Sequence, residues 1–225
     1  MSVTGNTTLA LSEEQAMLLD VAREFCREKS PMAKVRAQLE TETGFDHALW
    51  EEMVSLGWAG IALPESCGGS GMGVATAVPV VEAMGRAMLG TPLISATLAG
   101  QLLVRAGASG PVEAVLAEIA AGAPASVALL ENGDWGDESL ACSVDANGTL
   151  RGRKQFVTDA GVARLFIVAI KNQGSPALAV VRTEQLPGGA ILPNTLIDQT
   201  RRSASVDFSG VTVTEDQLVT GGRVV

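Results

Sequence analysis

Side chains suited to chemistry gather in one stretch of this sequence, Leu150-Arg151-Gly152-Arg153-Lys154-Gln155-Phe156-Val157-Thr158-Asp159-Ala160-Gly161. It follows Asn147-Gly148, a pair that takes the positive φ angles of a type I′ turn, with Ala141-Cys142-Ser143-Val144 running in, so the spacing predicts a β-hairpin. Strand side chains alternate, which places Leu150, Gly152, Lys154, Phe156 and Thr158 on one face and Arg151, Arg153, Gln155, Val157 and Asp159 on the other. One face thus carries an aromatic ring beside a hydroxyl. That combination suits a planar heteroaromatic ligand, which needs both stacking area and a polar partner. An ordinary core strand meets the same spacing, and periodicity alone favours it.

Other reactive side chains have structural readings. Glu82 and Arg86 stand i,i+4 on a helix and form a surface ion pair. Glu131 sits at a strand end as an acceptor, and the single histidine, His47, lies in a first helical turn as a surface residue. Gly68-Gly69-Ser70-Gly71 is rich enough in glycine to suggest a phosphate cradle. It lacks both the following Lys-Ser/Thr and the preceding strand that such cradles need, so it reads as a tight interhelical loop. Cys26, Cys67 and Cys142 have no metal-ligand spacing and point to a reducing compartment, the cytoplasm, with no metal site.

These residues need elements to hold them, and 225 residues suffice for two modest domains. Ser12-Glu13-Glu14-Gln15 is a capping box opening a helix to about Lys29, with Leu11, Leu18, Ala22, Phe25 and Cys26 as its core face and Pro31 as a break. Asp46 caps a second helix bearing Trp50, Met53 and Val54, closed by Gly57. Further helices run from Met72 to about Leu89, from Pro92 to about Ala106, and from Pro111 to before Gly122, five in all. After Pro124 the pattern becomes Ser126–Leu130, Ser139–Val144, Leu150–Thr158, Leu165–Ile170, Ala177–Val181 and Ser203–Val213, short β runs of an antiparallel barrel or sandwich. The fold class is therefore α+β, with a helical domain over 1–124 and a β domain over 125–225. A net charge of −9 excludes phosphate neutralisation, hence nucleic acid. The start of the chain has no secretory pattern, and the charge-free run Ala87 to Val104 is too interrupted for a membrane span. Hydrophobic residues make up 47% of the chain, which leaves apolar surface for a partner.

The order of elements and several local patterns together resemble the acyl-CoA dehydrogenase family of flavoproteins, over nearly all of the chain from Leu11. The resemblance rests on Leu49-Trp50, Leu56-Gly57-Trp58-Ala59-Gly60-Ile61, Pro64-Glu65, Gly68-Gly69-Ser70-Gly71 and Val81-Glu82-Ala83-Met84-Gly85-Arg86 with Pro92. In the second half it rests on Gly152-Arg153-Lys154-Gln155-Phe156-Val157-Thr158-Asp159-Ala160, Leu165-Phe166-Ile167-Val168, Val206-Asp207-Phe208 and Val211-Thr212-Val213. It implies removal of hydrogens from Cα and Cβ of an acyl-CoA, with hydride passing to FAD and a carboxylate taking the α proton. An electron-transfer flavoprotein or similar acceptor and a homo- or hetero-oligomer are implied as partners. Phe156 stands where the family usually has Trp beside the flavin, Thr158 where a hydroxyl approaches its N5, and Val157 between them. The wall of the acyl cavity is expected from the Glu82–Leu98 region.

The sequence departs from the family where Val127-Ala128-Leu129-Leu130-Glu131 usually ends in Thr-Glu-Pro before a Gly-Ser-Asp turn. Leu129 and Leu130 are the expected cofactor contacts there, although Leu130 lacks the hydroxyl of Thr, and Gly136 is the expected substrate contact without the Ser side chain. The family's catalytic Glu belongs to a C-terminal helical bundle that this chain is expected to lack, so no catalytic base is assigned.

Overall fold

The computed structural model describes residues 11–107, 109–134 and 139–220. Helices come first: α1 Glu13–Lys29, α2 Met32–Leu39, α3 His47–Ser55, α4 Val74–Arg86, α5 Leu93–Arg105 and α6 Pro111–Ala120. The capping box forms, with the Ser12 hydroxyl accepting from Gln15 N–H at 3.2 Å and the Gln15 side chain accepting from Ser12 N–H at 3.1 Å. Asp46 accepts from Ala48 N–H at 2.9 Å at the head of α3, and Gly57 follows it with φ 79°. The sequence reading omitted α2. Pro31 does end α1, but a proline is also tolerated where a helix begins, and the chain turns helical again at Met32.

Helix α1 packs along α4 through Leu19, Ala22 and Cys26, whereas the expected Leu11 is exposed. Leu18 and Phe25 pack at the edge of this cluster, which also holds Trp50, Met53, Trp58 and Met84. The glycine-rich segment closes back on the residues just before it, with Ser70 N–H donating to Gly60 at 2.9 Å and Gly71 N–H to Leu63 at 2.8 Å. At Gly69 a Cβ would lie 2.3 Å from the Leu63 carbonyl oxygen, so close backbone contact is what requires glycine there.

The strands are β1 Ala125–Ala128, β2 Ser143–Val144, β3 Leu150–Arg151, β4 Arg153–Thr158, β5 Leu165–Asn172, β6 Ser175–Arg182, β7 Ile191–Pro193, β8 Ser203–Asp207 and β9 Leu218–Val219. A six-stranded sheet runs β3-β2-β5-β6-β9 with β1 also on β5, and a three-stranded sheet runs β4-β8-β7. The larger sheet is mixed, since β1 and β2 both pair with β5 in parallel. Strand β5 is buried on both faces. Leu165, Ile167 and Ala169 meet Ala96, Ala99 and Leu103 of α5, while Phe166, Val168 and Ile170 meet Val157, Ala204 and Phe208 across the gap between the sheets. This double burial explains the uninterrupted apolar run of its sequence.

Candidate functional site

The stretch expected to be one strand is two. Gly152 has φ 129°, and a Cβ there would sit 2.9 Å from Cys142 Cα, so the chain changes sheets between β3 and β4. The turn before it also differs from type I′: only Gly148 has positive φ, and the Asp145 carboxylate accepts from Asn147 and Thr149 N–H, each at 3.0 Å. An Asx turn followed by a left-handed glycine closes this hairpin.

A β-bulge then breaks the alternation. Lys154 pairs with Val206 and Val157 with Ala204, so Gln155 and Phe156 together oppose Ser205. Phe156 takes φ 53° within the bulge. Lys154 and Val157 therefore share the inward face, both fully buried, and Thr158 turns the other way. Phe156 and Thr158 are half-buried. The expected grouping of Lys154 with Thr158 is thus corrected, because the extra residue reverses the parity beyond it.

Lys154 is a charged side chain with no solvent exposure. Its ammonium donates to the Leu129 carbonyl at 3.0 Å and to Glu131 Oε1 at 2.6 Å. Glu131 also accepts from Ala141 and Cys142 N–H at 2.8 and 2.9 Å. Burial pushes the Glu131 carboxyl up, but Lys154 and these two N–H groups outweigh it and hold the carboxyl below its usual range. Gln155 N–H donates to the Leu130 carbonyl at 2.7 Å. At the other end the Ser126 hydroxyl donates to the Thr158 carbonyl. These bonds lay the end of β1 along β4 and bring Leu129, Leu130, Phe156 and Thr158 together. Leu129 is 52% exposed, and Phe156 and Thr158 are half-buried. Val157 turns its side chain into the core, so its backbone is what it offers here.

Asp159, next after Thr158, has φ 56° and is buried. Its carboxylate meets the Ser95 hydroxyl of α5 at 2.7 Å and Arg201 Nη2 at 3.5 Å. Burial pushes this carboxyl above its usual range against the pull of Arg201 and Ser95. Glu82 pairs with Arg86 at 2.9 Å in solvent, and His47 is exposed, its ring 4.6 Å from that of Phe45. Both fulfil their structural readings. Gly136 lies outside the described residues. Sequence reasoning passed over Lys154, Asp159 and Arg201. A lysine alternating with Leu150 and Phe156 was a usable signal for the first, whereas Asp159 and Arg201 meet only through the fold. Among the described residues no group of His, Cys, Asp and Glu is placed to hold a metal ion.

A helical unit is followed by a two-sheet β unit, with Phe156 and Thr158 half-buried on the strand that β1 lies against. Residues 12–123 match the family described as acyl-CoA dehydrogenase, N-terminal domain. The chain belongs to the acyl-CoA dehydrogenase family. It is 33% identical over 137 residues to acyl-CoA dehydrogenase IpdE2 of Mycolicibacterium smegmatis, covering 58% of this chain and 43% of that protein. Its fold matches the ChsE4-ChsE5 complex of Mycobacterium tuberculosis with a TM-score of 0.79 at 22% identity, over 96% of this chain and 59% of that one. It also matches an acyl-CoA dehydrogenase complexed with FAD from Bacillus anthracis, with a TM-score of 0.74 at 21% identity over 94% and 39% of the two chains. The chain spans about half the length of the curated relatives it matches.

Proposed function

We propose that this chain supplies the flavin-facing and acyl-facing half of a site that dehydrogenates an acyl-CoA between Cα and Cβ. The observation that carries this reading is the junction of the end of β1 with the bulged β4, where Gln155 N–H donates to Leu130, Leu129 is exposed and Phe156 and Thr158 are half-buried. That junction fits an isoalloxazine, and a bound FAD supplies an acceptor for the hydride of the β carbon. Phe156 and Leu129 give it apolar cover, and Thr158 gives it a hydrogen bond. The backbones of Leu130 and Val157 fix the spacing, and Gly136 is assigned to the substrate. The helical domain is 1–124 and the β domain 125–225. No side chain among the described residues is assigned as the base that takes the α proton. Electrons leave to an electron-transfer flavoprotein or similar acceptor in the cytoplasm. Among the described residues no helix is long and apolar enough to cross a membrane.

A second reading, a non-catalytic subunit beside a catalytic partner, is favoured by Leu130, which offers no hydroxyl at a position where the family has one. The name of the ChsE4-ChsE5 complex records that two such chains assemble with each other, which suits a hetero-oligomer here. Titrating the purified chain with FAD and recording the visible spectrum separates the readings. The expected result is a perturbed flavin band, with several-fold weaker retention in Thr158→Ala, since one polar contact is worth about 0.5–1.5 kcal/mol. A folded chain that leaves the spectrum of free FAD unchanged overturns the first reading in favour of the second.

A further inference from the structure

Two adjacent arginines before β8 are used in opposite ways. Arg202 gives its guanidinium to backbone carbonyls, at 2.6 Å to Gln199, 3.0 Å to Leu39 and 2.9 Å to Thr41, and so ties its loop to the end of α2. The Arg201 guanidinium makes one hydrogen bond among the described residues, the 3.5 Å contact to Asp159, although its side chain is only 25% exposed. A guanidinium carries five N–H donors in a planar fork. Arg201 lines a cleft of about 440 Å³, whose apolar wall is Val81, Met84, Met88, Leu89 and Ile94.

Two carboxylates act on this cation, Asp159 by direct contact and Asp198 through its charge. Asp198 also lines the cleft, but it is exposed and its carboxylate is engaged by Thr200, accepting from the N–H at 2.9 Å and the hydroxyl at 2.6 Å. Burial pushes the Asp159 carboxyl above its usual range, against the pull of Arg201 and Ser95. The Ser95 hydroxyl lies 3.0 Å from the Pro92 carbonyl and donates to Asp159 Oδ2 at 2.7 Å, the same oxygen that faces Arg201. A small adjoining cavity is lined by Arg201, Asp159 and Thr91. The Thr91 hydroxyl there is 3% exposed in its residue and has no hydrogen-bond partner.

We propose that this cleft receives the end of the acyl group remote from the thioester, and that Arg201 selects acyl groups ending in a carboxylate. The fork binds a carboxylate through two parallel hydrogen bonds, while the methionine and leucine wall takes the methylenes between. The inference rests on the acyl-CoA reading above, since Asp159 joins Arg201 directly to the strand end that bears Thr158.

The test is calorimetric binding of glutaryl-CoA and of its uncharged isostere, the isoheptanoyl thioester, to the full chain with saturating FAD and any subunit that co-purifies. Wild type should prefer glutaryl-CoA by about tenfold or more, the size of one charge-assisted hydrogen bond. Arg201→Gln should lose that preference while keeping its affinity for isoheptanoyl-CoA. Arg201→Lys should keep part of it, and decides the matter with the wild type if Arg201→Gln does not fold. Equal binding of the two thioesters by wild type, or an intact preference in Arg201→Gln, overturns the selectivity and leaves the acyl-CoA reading standing. If neither thioester binds, both fall.

Discussion

Glu82 in the helical half and Glu131 in the β half each hold one cation, and little else about them agrees. Glu82 reaches Arg86 one turn further along α4, and both side chains stand largely in water, 47% and 72% exposed. Glu131 reaches Lys154 across 23 residues, with side chains 13% and 0% exposed. The first pair is local, legible in the sequence and worth little. The second is set by strand packing, and it fixes the backbone of Leu129 to Glu131 where the candidate flavin edge lies. In this chain the interactions easiest to read matter least to the site.

The widest separation between the two halves should come from breaking each pair. Glu131→Gln or Lys154→Met should cost about 3–5 kcal/mol, because the surviving partner stays buried without its counter-charge. Glu82→Gln should cost no more than about 0.5 kcal/mol. Urea unfolding of the three variants checks this, and equal losses would erase the contrast. Next in size, Ser12→Ala should lose about 1 kcal/mol through the cap of α1, which a thermal melt can follow.

A subtler contrast lies in pH, between Glu131 and Asp159 within the β half. The Glu131 carboxyl is lowered in the folded chain, so its contribution is present above its ordinary value of 4.5 and is lost as pH falls through the folded value. The Asp159 carboxyl is raised, so its contribution is complete below 3.8 and is lost as pH rises through the folded value. Asp159→Asn should therefore flatten the decline of the unfolding midpoint on the alkaline side of that window, and Glu131→Gln the decline on the acid side. Melting curves collected across acid and neutral pH, with wild type as control, would show either slope unchanged if the assignments are wrong. Smallest in effect, Cys26 and Cys142, each pushed up to about 11 by burial, should alkylate slowly at neutral pH until the protein is denatured.

The helix caps at Ser12, Asp46 and Gly57 were legible because each is settled within four residues. Strand β5 was legible because its apolar run is long. The bulge at Gln155-Phe156 was not, since inserting one residue into a pairing leaves no mark on composition, and it reversed the faces of the strand that carries the candidate residues. β7 and β9 escaped for the same reason as α2: each is too short for periodicity to build. Alternation singled out Phe156 and Thr158 and the family resemblance gave them a role, but alternation also put Lys154 beside them. Arg201 and Asp159 stand 42 residues apart, and nothing in either neighbourhood announces the other.

Strand β5 lends one face to the helices and the other to the second sheet. Its amides should then be the slowest in the chain to exchange with deuterium, since they open only when α5 lifts away and the β4-β8-β7 sheet parts. A fragment ending near residue 124 would bare Ala96, Ala99 and Leu103, and one beginning there would bare Leu165 and Ile167. Neither piece should show the exchange protection of the whole.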